Sequence, residues 1–94
     1  MTKRPVVIEI EKQGKTYRVE LRERDSGRAL DSRTLDGSDG SEAPYKHVCK
    51  VRLPAESEPK IDLESDDGED RIVLRAADRT CYRHSLPTPV SVAN

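Results

Sequence analysis

Phenylalanine and tryptophan are absent from this chain, and Tyr17, Tyr45 and Tyr82 are its only aromatic residues. Without the largest apolar side chains, a core has to come from Val, Ile and Leu. Cysteine is scarce as well, with Cys49 and Cys81 alone, which excludes the multi-bridge scaffold of a small secreted domain. No apolar run approaches the length of a membrane span. The start, Met1-Thr2-Lys3-Arg4-Pro5, is basic, but the apolar stretch Val6–Ile10 is too short and too soon charged for a signal peptide. These features point to a cytoplasmic protein with no membrane partner.

What is present is charge. Charged residues make up 37% of the 94-residue chain against 33% hydrophobic, which places it on the polar side of the globular range and allows a single domain over residues 1–94. Ordering a chain costs about 1.5 kcal/mol per residue, so a core this modest comes out near balance. A metal, a disulfide or a partner chain often supplies the difference, and homo-oligomerisation is one such route. The net charge of −1 argues against general nucleic-acid binding. Locally the signs separate. Glu56, Glu58, Asp62, Glu64, Asp66, Asp67, Glu69 and Asp70 form an acidic stretch, and Lys46, Lys50, Arg52, Arg71, Arg75, Arg79 and Arg83 surround it. Glu56, Glu58, Glu64, Asp66, Asp67, Glu69 and Asp70 are therefore a candidate acidic surface for a basic partner.

The hydrophobic pattern has period two throughout, the signature of half-buried strands. Asp67-Gly68 is a favoured type I′ pair and predicts a hairpin with Leu63 opposite Ile72, Ile61 opposite Leu74 and Glu64 opposite Arg71. A second hairpin is expected around Gln13-Gly14, pairing Ile10 with Tyr17, Ile8 with Val19, Val6 with Leu21 and Glu9 with Arg18. Tyr45, His47, Cys49, Val51 and Leu53 share one face of a further strand, with Lys46, Lys50 and Arg52 on the other. Turns at Arg24–Gly27 and Ala77–Arg79 lead into strands near Arg28–Leu35 and Thr80–Leu86. Residues 36–44 read as a flexible loop, and residues 87–94, interrupted by Pro87 and Pro89, as an extended arm. About seven short strands joined as hairpins predict an all-β fold, a small antiparallel β-sandwich or barrel.

His47-x-Cys49 and Cys81-x-x-His84 hold every histidine and cysteine of the chain, and together they match the ligand inventory of a tetrahedral zinc site. On a strand, however, Cys81 and His84 point to opposite faces, so the expectation is no metal and no cofactor. A zinc-stabilised β-domain that contacts nucleic acid is the alternative. A calcium loop at Asp62–Gly68 fails because its sixth position is Asp67 and its twelfth is Val73. No nucleophile elbow, phosphate loop or Walker lysine is present, and a thiol–imidazole pair would be the sole catalytic option. The expectation is a non-enzymatic protein–protein interaction module. Its profile is that of a phage or mobile-element accessory factor or a small subunit of a larger assembly.

Overall fold

The computed structural model describes residues 3–37, 42–54, 58–88 and 90–92. Its elements in chain order are β1 (Lys3–Gln13), β2 (Thr16–Glu23), β3 (Ala29–Gly37), β4 (Tyr45–Pro54), β5 (Lys60–Asp66), β6 (Glu69–Ala76), β7 (Arg79–Ser85) and β8 (Val90–Val92). Every pairing is antiparallel. One sheet runs β4-β1-β2-β3-β8 and the other β5-β6-β7. No helix is long and apolar enough to cross a membrane among the described residues.

Alternation decides which side of each strand is inside. Val6, Ile8 and Ile10 of β1, Tyr17, Val19 and Leu21 of β2, Leu35 of β3 and Leu53 of β4 meet Ile61, Ile72 and Leu74 of the smaller sheet in one core cluster. Most of these residues are completely buried, and each such aliphatic side chain contributes about 1.5–3 kcal/mol. Two sheets packed face to face over one core make a β-sandwich.

The Asp67-Gly68 hairpin forms as its sequence predicts. Leu63 pairs with Ile72, Ile61 with Leu74 and Glu64 with Arg71, and both loop residues have positive φ, 50° and 76°. The first hairpin corrects the expected register by two residues. Ile8 pairs with Leu21 and Ile10 with Val19, while Lys12 lies opposite Tyr17 and Glu9 opposite Glu20. The loop is Gly14-Lys15, closed by Gln13 and Thr16, and Gly14 takes φ 61° at the first loop position. The expected register would have put Gln13 there, where a side chain is disfavoured. A shift of two keeps every residue on its face, so the core is unaffected. Val6, left opposite Glu23, finds an apolar neighbour in Val51 of β4 instead.

The expected loop over 36–44 is shorter than the sequence implies. Asp36 and Gly37 close β3, with Asp36 paired to Thr16 and Gly37 to Val90. The central residues of that loop, 38–41, lie outside the described residues, as do Glu56 and residues 93–94. The arm is tethered at several points. The Leu86 amide donates to the Asp70 carbonyl at 2.8 Å, and the Val90 amide donates to Asp70 Oδ2 at 2.9 Å. Thr88 Oγ1 meets the Tyr17 hydroxyl at 2.7 Å. These bonds carry the chain from the small sheet to the large one, where Val90–Val92 pairs with the edge of β3.

Candidate functional site

β4 and β7 are edge strands of opposite sheets, and the inward side chains of both meet along one side of the sandwich. β4 contributes Tyr45 and His47, and β7 contributes Tyr82 and His84. The two imidazoles stack with centroids 3.8 Å apart and planes 12° from parallel. His47 Nε2 meets the Tyr82 hydroxyl at 2.8 Å, and His84 Nε2 meets the Tyr45 hydroxyl at 2.5 Å. Tyr45 in turn packs edge-on against Tyr17, 6.3 Å between centroids, which ties the stack to the buried core. Each strand thus gives one ring and one hydroxyl to the other, forming a reciprocal clasp across the two sheets.

This environment moves the titrating groups. Burial pulls the His84 pKa below the ordinary histidine value, and the neighbouring His47 adds to the effect. Burial also raises the Tyr45 phenol and pushes Tyr82 up to about 12, with the Cys49 thiol as its next contributor. A neutral His84 and neutral Tyr45 and Tyr82 phenols fit a half-buried stack, because each charged form would lose hydration there.

The structure brings three of the four candidate zinc ligands to the same seam, but not into a donor cluster. Both imidazole Nε2 atoms are engaged by tyrosine hydroxyls, and the Cys49 thiol donates weakly to the Lys50 carbonyl at 3.7 Å. Cys81 sits at the register shift between β6 and β7, where its thiol reaches the Arg79 carbonyl at 3.9 Å. Among the described residues no group of three or more His, Cys, Asp or Glu side chains is arranged to hold a metal ion.

The acidic candidates are largely engaged by arginines. Glu64 reaches Arg71 and Arg75, each at 3.7 Å, and Arg83 at 3.6 Å. Arg71 also approaches Asp66 at 3.6 Å and Glu69 at 3.8 Å. These ions lie on the outer face of the small sheet around Val73, which is fully buried although it points away from the core. Arg71 and Arg75 flank it on β6, and Arg83 stands opposite it on β7. Asp70 is occupied by Val90 and by the Ser65 hydroxyl. Asp67 and Glu58 are exposed. A depression of about 670 Å3 beside β5 is lined by Arg33, Glu58, Lys60, Asp62, Arg75 and Asp78, and its central charges pair with one another.

The strand edges differ sharply. β8 is three residues long. The exposed side of β5 is capped by side chains of β3: Asp31 Oδ2 accepts the Ile61 amide at 2.8 Å, and Arg33 donates to the Ile61 carbonyl at 3.2 Å. The pairing of β7 is interrupted by the register shift opposite Leu74 and Arg75. β4 has ten residues and pairs regularly with β1 throughout.

The orientation of the β4 backbone follows from Pro5. Its carbonyl accepts the Arg24 amide at 3.1 Å, on the β2 side of β1. Pro5 therefore makes no bond to Arg52, its partner on β4. Because hydrogen-bonded and non-bonded pairs alternate in an antiparallel ladder, Leu53, Val51, Cys49, His47 and Tyr45 bond to β1. Lys46, Val48, Lys50 and Arg52 direct their N–H and C=O groups away from it, and apart from the long thiol contact of Cys49 to the Lys50 carbonyl those groups have no protein partner among the described residues. Val48, half exposed, is the one large hydrophobic side chain on the described surface with such exposure. Sequence reasoning placed Lys46, Lys50 and Arg52 on the outer face but missed this edge, since alternation carries no information about which strand lies outermost.

The chain matches no family model, no curated protein and no solved structure.

Proposed function

We propose that this protein is a non-enzymatic protein-binding module that takes up an extended segment of a partner protein along the open edge of β4. The observation that carries the reading is the ladder of outward N–H and C=O groups at Lys46, Val48, Lys50 and Arg52, on the longest and most regular of the edge strands. An added strand satisfies those groups by the same bonds that join β4 to β1, and side chains beside it provide selectivity. A non-enzymatic role is supported by the seam, where the imidazole Nε2 atoms that would serve as bases are held by tyrosine hydroxyls.

The test is selection of a random decapeptide library on the purified protein and, in parallel, on Val48→Pro. Proline at Val48 removes one outward donor and leaves the bonds to β1 intact, as is tolerated on an edge. Circular dichroism and melting should show a folded variant. Peptides enriched on the parent should lose binding to the variant. Equal enrichment on both proteins overturns the reading.

A further inference from the structure

The outer face of β4 narrows what such a segment can be. Lys46 has an acidic neighbour in its own sheet, Glu11, although their charged atoms are 3.9 Å apart and the lysine is largely exposed. The next basic positions have no acid directly opposite. Lys50 stands opposite Val7 and Arg52 opposite Pro5. Neither base makes an ion pair among the described residues, Glu9 being diagonal to Lys50 and opposite Val48, so β4 presents two adjacent cations with no acid directly opposite them in their own sheet. The missing neighbours would come from the other side, where the edge is open. Resting on the strand-addition reading, we infer that the partner segment is an acidic β-strand, with carboxylates at two positions spaced two residues apart and an apolar residue two further on. In antiparallel register these face Arg52, Lys50 and Val48 in turn. The alternate residues of the segment lie over Val51, Cys49 and His47, whose half-buried side chains favour apolar neighbours. The recognition sequence is thus acidic on one face and apolar on the other.

A second copy of this chain does not meet the requirement. A two-fold at Val48 sets Lys46 against Lys50, a two-fold at Lys50 sets that lysine against its own copy, and a two-fold between them sets Lys46 against Arg52. Like charges directly opposite one another are destabilising in each case. A nucleic-acid strand would satisfy the cations but needs stacking platforms, and the three tyrosines turn inward to Thr88, His84 and His47.

Three nine-residue peptides that alternate valine with glutamate, threonine or lysine, together with a ten-nucleotide oligothymidylate, provide the test. Affinity is measured by titration, and backbone amide exchange is followed at residues 46, 48, 50 and 52. The glutamate peptide should bind about tenfold more tightly than the threonine peptide at low salt, with slowed exchange at those amides. The gap should close at about 0.5 M salt, where exposed charges are screened. Joint reversal by Lys50→Glu and Arg52→Glu should transfer the preference to the lysine peptide. If the threonine peptide binds as tightly as the glutamate peptide and protects the same amides, the acidic partner is excluded and strand addition stands. Binding of the glutamate peptide without protection at β4 excludes strand addition itself. Tighter binding of the oligonucleotide than of every peptide, or no binding by any peptide, overturns the acidic-strand inference.

Discussion

The two long seams of the sandwich are closed by different chemistry. Where β3 meets β5, inward charges of one strand bind the backbone of the other: Asp31 takes the Ile61 amide, and Arg33 takes its carbonyl together with Asp62 Oδ1 at 3.3 Å. Where β4 meets β7, side chain binds side chain through the His47–Tyr82 and Tyr45–His84 pairs. The first arrangement uses up main-chain groups at the edge of β5 and so blunts it against further pairing. The second lies between the sheets and leaves the outward groups of β4 without a strand partner. One sandwich thereby has a closed side and a receptive side, and the choice of closing residues decides which is which.

The strongest way to break this contrast is Asp31→Ala. It leaves the buried Ile61 amide without its acceptor. An unsatisfied buried donor costs about 1–3 kcal/mol, so denaturant unfolding should show a loss of that size. A change within experimental error would mean that the β3–β5 seam is not closed by these bonds.

A smaller effect is expected at the other seam on acidification. The His84 pKa is lowered in the folded protein by burial and then by His47. Tyr45, His47 and Cys49 face it from β4, and Tyr82 neighbours it on β7. Below the ordinary histidine value the unfolded chain therefore binds more protons than the folded one. The contribution of His84 is complete above pH 6.5 and is lost as pH falls through its depressed folded pKa. The melting temperature should drop between neutral and mildly acidic pH, and His84→Gln should flatten that drop. An unchanged pH profile in the variant would show that the stack is not the sensitive element.

The smallest signal sharpens the same seam from the alkaline side. Tyr82 is raised to about 12 by burial and then by Cys49, so its stabilisation is present below the ordinary tyrosine value near 10 and declines as pH rises through 12. Absorbance titration of the phenols should resolve one late step that disappears in Tyr82→Phe. Persistence of that step in the variant would assign it to another tyrosine.

The faces of the strands were legible because they depend on local alternation. Tyr45, His47, Cys49 and Val51 do share one side of β4, and Asp67-Gly68 does set the β5–β6 register through a turn that needs positive φ. The register of the first hairpin escaped the same reasoning. Moving it by two residues preserves every face, and the apolar pattern cannot distinguish the alternatives. Only the demand for glycine at the first loop position separates them. The clasp is half legible: its histidines stand out as candidate ligands, but nothing local to Tyr45 or Tyr82 marks their hydroxyls as partners for those rings.

The sequence by itself determined an all-β chain, its hairpin turns and the inner and outer side of each strand, because these follow from spacing within a few residues. Tertiary structure decided the rest. β1 pairs with β4 across two intervening strands, and that long-range choice leaves β4 at an edge with Lys50 and Arg52 lacking an acid directly opposite. The facing of the two sheets sets His47 on His84 and Asp31 on Ile61. Contacts between residues tens of positions apart are selected by how whole sheets pack, and no local pattern encodes that selection.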